Sequence, residues 1–256
     1  MTLQDKINYS INLIQKCEKL ALQYSPDGFH IAFSGGKDSQ VIYELAKMAG
    51  VKFKSYFYKT SIDPKELLVF IKENYPEVVL IKPQKTMFQL ILEKKIFPTR
   101  RIRYCCEYLK ERKGINSVVI VGIRKEESAR RKKREELTFQ CIKGNDKYML
   151  HPILEWTKND VFSFLENRNI KLCSLYKTQK RIGCVGCPMV GKNKHLKQIL
   201  SHKNFYKAYC NTAQKLLSFG DWGKFDSGEE IIEWWTSGIS KKQFIHNKEN
   251  QTKLKF

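Results

Sequence analysis

No apolar run in this 256-residue chain approaches the length needed to cross a membrane, so no membrane partner is expected. The N-terminus is polar and amphipathic and lacks the apolar stretch of a secretory leader, which points to a cytoplasmic location. No internal repeat is visible. Acidic residues are scarce: 26 Asp and Glu stand against 47 Lys and Arg, a net charge of +21. Such an excess suits a polyanionic partner, most often nucleic acid, although a lysine-rich proteome would leave the same balance on an ordinary surface. Arg130, Arg131, Lys132, Lys133 and Arg134 form the densest basic run and are candidate contacts for nucleic acid, DNA above all. The hydrophobic share of 42% is enough for a core, and the length suits one α/β domain with an appendage or two small domains. Cysteine is not scarce. Eight in a cytoplasmic chain indicate a metal site or redox chemistry rather than a disulfide framework.

The Walker pattern Gly-x-x-x-x-Gly-Lys-Ser/Thr is also missing. Another loop takes its place, Phe33-Ser34-Gly35-Gly36-Lys37-Asp38-Ser39. It follows the apolar run Phe29–Phe33 and precedes Val41, Ile42, Leu45, Ala46 and Met48 at helical spacing, so it occupies a strand–loop–helix corner. Two adjacent glycines let the backbone turn tightly and approach a ligand. The amides of the loop and of the first helical turn then form a nest for phosphate oxygens, reinforced by the helix dipole. Lys37 can add a charge, Asp38 can hold Mg²⁺, and Ser39 can donate to an oxygen. Ser-Gly-Gly-x-Asp-Ser resembles the PP-loop of the ATP pyrophosphatases, which grips the pyrophosphate of ATP while AMP is transferred.

Along the rest of the chain the patterns predict a helix over 5–24 and strands over 52–57 and 78–81. Further helices are predicted over 63–74, 87–95 and 104–112, then strands over 117–121 and 148–150. Thr157 and Ser227 each begin a capping-box pattern, and 192–218 reads as largely helical. The tail after Gly238 is polar and is expected to be mobile. Strands alternating with helices imply an α/β fold, a parallel sheet with helices on both faces and ligands at the carboxyl ends of the strands. Residues 1–215 are expected to form the nucleotide-binding domain with the cysteine site, and 216–256 a helical extension and polar tail.

Cys105 and Cys106 are adjacent, and Cys184-Val185-Gly186-Cys187 is a Cys-x-x-Cys. Two pairs supply the four thiolates that a [4Fe–4S] cluster or a structural zinc requires. Adjacent cysteines are poorly placed to share one zinc and better suited to a cluster, whose irons are spread over several ångströms. Cys17, Cys141, Cys173 and Cys210 read as ordinary thiols.

The chain resembles the phosphoadenosine phosphosulfate reductase family of PP-loop proteins across about residues 25–200. Matching segments are 34–39, Thr60–Leu67, Pro98–Cys106, Val121-Gly-Ile-Arg-Lys-Glu-Glu-Ser128 with Arg131, His151–Trp156, and Tyr176 through Pro188. The resemblance implies a Rossmann-like sheet of the adenine nucleotide alpha hydrolase type. It implies a [4Fe–4S] cluster on the paired cysteines, and a nucleotide contacted by Arg124 and its neighbours. Catalysis would fall to Lys37, Asp38 and Arg124. The nucleotide would be held by Ser34, Gly35, Gly36, Lys37, Asp38, Ser39, Thr60, Arg124 and Ser128. One departure matters. Sulfonucleotide reductases resemble one another in a C-terminal Glu-Cys-Gly-x-His segment whose cysteine attacks sulfate sulfur, and residues 211–256 contain no cysteine.

Three functions are therefore expected in descending order. The first is an ATP- and Mg²⁺-dependent enzyme that adenylates a nucleic-acid acceptor for sulfur insertion, as in DNA phosphorothioate modification, with a cysteine desulfurase or other sulfur donor. The second is a sulfonucleotide reductase using thioredoxin, which would need a substitute such as Cys210. The third is a non-catalytic nucleotide- or DNA-binding module.

Overall fold

The structure is a computed structural model and describes residues 1–142 and 145–253. The chain begins with α1 (Leu3–Lys16) and α2 (Glu18–Tyr24), where one continuous helix was expected; Cys17 caps the first and opens the second. A Thr2–Asp5 capping box starts α1, and Ile7 and Ile14 face the core. Then come β1 (Phe29–Ala32), α3 (Lys37–Ala49), β2 (Phe53–Tyr58), α4 (Lys65–Asn74) and β3 (Val79–Ile81). Helices α5 (Met87–Lys94) and α6 (Tyr104–Cys106) precede β4 (Val118–Ile120). Helix α7 (Ala129–Lys132), the hairpin β5 (Leu137–Ile142) and β6 (Asn145–Leu150), and α8 (Lys158–Asn167) follow. The chain continues with α9 (Lys192–Leu200), α10 (Lys203–Leu216), α11 (Gly228–Ser237) and α12 (Lys241–Lys253). Thr157 forms its predicted capping box with Asp160 at α8. Ser227 caps α11 through Glu230 N, but the Glu230 carboxylate accepts from Asp226 N.

The chain divides into two compact units that interleave in sequence. The first comprises 1–59, 65–82 and 110–182. Its sheet has the order β3-β2-β1-β4-β6-β5, parallel throughout except for the antiparallel edge strand β5. Strand β1 is central, with Phe29 opposite Phe53 and His30 opposite Val119. A core of Ile14, Ile31, Val41, Ile42, Leu45, Val118, Ile120 and Phe164 packs α1, α3 and α8 on the sheet. The second unit comprises 60–64, 83–109 and 183–256, and its core gathers Leu90, Phe97, Tyr209, Ile231 and Trp235. The tail carries α12 where a mobile segment was expected. Among the described residues no helix is long and apolar enough to cross a membrane.

His30 sits on β1 with its Nε2 atom 3.1 Å from the Tyr58 hydroxyl. Burial, and then the charge of Lys147, push its pKa from 6.5 down to about 4. Between those two values the unfolded chain binds more protons than the folded one, so stability falls as pH drops through that window. His30→Phe should lose up to about 3 kcal/mol less stability than the wild type between pH 6.5 and 4. Denaturant titrations at both pH values measure the difference, and parallel losses would refute it.

Candidate functional site

In the first unit, β1 ends at the loop predicted to hold phosphate. Gly35 adopts a φ of 69°, and a Cβ there would lie 2.6 Å from Leu67 Cδ1 and 2.9 Å from Ile71 Cδ1. Only glycine meets both demands. Gly36 is the N-cap of α3 and supplies no side-chain cap, which leaves the first-turn amides to other partners. Lys37 N donates to the Tyr176 hydroxyl at 2.8 Å. Ser39 Oγ donates to Gly36 O at 2.8 Å, and Ser34 Oγ donates to Ser39 Oγ at 3.1 Å. The two serines thus brace the loop from inside.

The charged groups converge on Asp38. Its Oδ2 atom accepts from Lys37 Nζ at 2.5 Å and its Oδ1 atom from Arg124 Nε at 2.7 Å. Arg124 is buried and donates a second bond to Glu126 at 3.0 Å. The segment after β4 lies against the start of α3: a Cβ on Gly122 would come within 2.8 Å of Asp38 O. That approach carries Arg124 to the loop. Burial lowers the Lys37 pKa, and the bond to Asp38 pulls it back up. Arg131 bonds Glu127, and its pKa is lowered by burial and then by the charge of Arg181, with Arg134 and Arg124 adding to the effect and Asp38 opposing it. Several cations therefore share one neighbourhood with few carboxylates, a balance that a polyphosphate would complete. Mg²⁺ commonly takes one or two carboxylates with phosphate and water oxygens. Asp38 fits such a role once phosphate oxygens engage Lys37 and Arg124 in its stead.

The five basic residues of the run divide. Arg130, Lys132 and Lys133 are exposed, whereas Arg131 and Arg134 are half-buried. Ser128 caps α7, its Oγ atom accepting from Arg131 N at 3.3 Å. Tyr176 and Arg181 were given no role by sequence reasoning. Tyr176 stood inside a matched segment, but nothing in its local pattern linked it to an amide 139 residues away.

Cys105, Cys106, Cys184 and Cys187 all fall in the second unit, as does Thr60. Thr60 is buried, and its hydroxyl donates to Asp63 at 2.8 Å and accepts from Cys184 Sγ at 3.4 Å. Arg103 donates to Cys106 Sγ at 3.4 Å. The hydrogen bond with Cys106, then burial, then the charges of Cys106, Cys187 and Cys184 push the Cys105 thiol up. Burial, followed by Cys184, Cys105 and Cys187, likewise raises Tyr209. The four thiols therefore share one electrostatic neighbourhood. Among the described residues, however, no three His, Cys, Asp or Glu side chains are grouped so as to hold a metal ion. Tetrahedral zinc would need its four sulfurs within roughly 4 Å of one another, given Zn–S bonds of about 2.3 Å. Four thiols are the number that a [4Fe–4S] cluster or a structural zinc takes, and their grouping favours neither. Cys210 is buried in α10 with its thiol raised by burial, a poor substitute for an attacking thiolate.

The sequence profile of the phosphoadenosine phosphosulfate reductase domain matches residues 28–190. An uncharacterised protein of Methanocaldococcus jannaschii is 29% identical over 211 residues, which covers 73% of this chain and 50% of that protein. A probable FAD synthase of Schizosaccharomyces pombe is 28% identical over 182 residues, covering 68% and 64%. The chain thus spans half to just under two-thirds of the length of these relatives. FMN adenylyltransferase of Candida glabrata, in complex with FAD and inorganic pyrophosphate, superposes with a TM-score of 0.55 at 20% identity, over 72% of this chain and 64% of that one. The same enzyme with FMN and an ATP analogue gives 0.53 at 21% identity over the same shares, 72% and 64%. At these identities the likeness is one of fold.

If Arg124 belongs to the anion site, Arg124→Gln should weaken Mg²⁺-ATP binding by about 1.5–3 kcal/mol, the usual worth of a hydrogen bond to a charged group. Calorimetric titration of a variant whose unfolding remains cooperative measures this. Unchanged affinity would remove Arg124 from the site.

Proposed function

Because the chain belongs to the phosphoadenosine phosphosulfate reductase family, we propose that it cleaves ATP between the α- and β-phosphates and adenylates a nucleic-acid acceptor for sulfur insertion. The observation that carries the adenylyl-transfer reading is the bridging of Asp38 by Lys37 and Arg124 at the strand–helix corner. The loop amides and Lys37 hold the β- and γ-phosphates. An acceptor oxygen, such as a backbone phosphate oxygen, attacks the α-phosphorus. The bond to the β-bridging oxygen breaks, and pyrophosphate leaves with that electron pair. Lys37 and Arg124 neutralise the charge that develops, so catalysis is mainly positioning and electrostatics. Asp38 would hold Mg²⁺, which supplies Lewis-acid charge when bound. A sulfur nucleophile from a donor protein then attacks the activated phosphorus and AMP departs. Cys105, Cys106, Cys184 and Cys187 would hold the [4Fe–4S] cluster, which supplies a redox-active centre when bound.

The net charge of +21 and the exposed Arg130, Lys132 and Lys133 support nucleic acid as the acceptor. A second reading, transfer of AMP to FMN, is favoured by the 28% identity to a probable FAD synthase.

Pyrophosphate release from Mg²⁺-ATP is measured alone, with DNA, with RNA and with FMN. Stimulation by nucleic acid and AMP attached to it are expected; FAD formation would replace the first reading with the second. Absence of both pyrophosphate release and ATP binding would overturn adenylyl transfer altogether. In parallel, replacing Arg130, Lys132 and Lys133 by Ala should flatten the log–log salt dependence of DNA binding by about 0.9 for each backbone phosphate that is no longer neutralised. An unchanged slope would rule those three residues out as partners of the DNA backbone.

A further inference from the structure

We propose that a cleft at the amino ends of β1, β2 and β4 in the first unit is a second ligand site, shaped for a nucleobase. The cleft is open to solvent, has a volume of about 260 Å³ and lies at the opposite end of β1 from Ser34–Ser39. Four strand residues at roughly 3.3 Å each put about 13 Å between the two ends, so a group bound here is distinct from a triphosphate on the loop. Pockets for drug-sized ligands start near about 300 Å³. This one matches a base or nucleoside.

Its exposed surface is mostly polar, with aromatic rings in one part of the wall. The rings of His30 and Tyr56 stack with centroids 4.4 Å apart and planes 16° apart, and Tyr24 stands at the rim, 44% exposed. His30 is neutral near pH 7, because burial holds its pKa at about 4, so its ring brings no charge that needs a counter-ion. A closed core would bury such a stack among aliphatic side chains. Here it opens onto polar groups. Asn116, exposed and in the left-handed region with a φ of 50°, presents an amide with both donors and an acceptor. Asp27 and Lys54 pair at 2.7 Å, each side chain about half exposed at 48% and 52%. A base has a π-face for the rings and a donor–acceptor edge for Asn116 and Asp27. Lys54 can meet an attached phosphate. The base could arrive on a free nucleotide or on a single strand. The cleft stands whether or not the loop transfers AMP to nucleic acid.

The test uses the full chain with Gly36→Val, which places a branched side chain where a Cβ already lies 3.3 Å from Ser34 Oγ and Tyr176 Oη and silences the phosphate loop. Adenosine, guanosine, cytidine and uridine, which carry no phosphate, and a DNA single strand of about eight nucleotides are titrated by equilibrium dialysis. Binding should survive Gly36→Val and fall about tenfold on adding Tyr56→Leu, the scale of removing one stacked ring. Asn116→Gly keeps the left-handed backbone and should narrow the discrimination among bases. Binding of the strand alone, or of nucleosides as well, identifies how the base arrives. The proposal is overturned if neither binds folded Gly36→Val protein, or if Tyr56→Leu and Asn116→Gly leave binding and base preference unchanged. Should Tyr56→Leu fail to fold, unchanged preference in Asn116→Gly overturns it alone.

Discussion

The carboxylate of Asp38 is the point on which the loop site depends. One oxygen accepts from Lys37 and the other from Arg124, so a residue on α3 is tied to the segment that follows β4. Backbone packing enforces the same junction through Gly122. Parallel pairing of β1 with β4 brings the two segments to the same sheet edge. A partly buried ion network of this kind adds little net stability, because desolvation offsets most of the Coulomb gain. Its value lies in orientation. Lys37, Arg124, Arg131 and Arg181 are held close together at a cost that an arriving polyanion would relieve.

The second unit is a different case. Burial and the neighbouring cysteines hold the Cys105 thiol and the Tyr209 hydroxyl in their neutral forms. A cation beside these cysteines would favour the ionised thiolate, whereas at the loop a polyphosphate would offset the excess of cations.

The likeness to the FMN adenylyltransferase structures is one of fold. The family match covers residues 28–190, which include the loop at Ser34–Ser39, Arg124 and the surface run at Arg130, Lys132 and Lys133. Helices α10, α11 and α12 lie outside it.

What the sequence determined was local. The strand–loop–helix corner at Ser34–Ser39, the cap at Thr157 and the central strands follow from apolar periodicity, adjacent glycines and short-range hydrogen bonds, all written within a few residues. The cysteine pairs were legible as pairs. Tertiary structure decided the rest. Strand β5 carries a short alternation, Leu137, Phe139 and Cys141 against Thr138 and Gln140, but its pairing with β6 at a sheet edge is what makes it a strand. The break at Cys17 and the helical tail were invisible. Tyr176 meets Lys37, and Arg181 meets Arg131, through the packing of distant segments. The two units interleave, so their membership follows packing rather than chain order. A hydrophobic pattern states which face of an element must be buried, but the partner that buries it is settled only when the whole chain has packed.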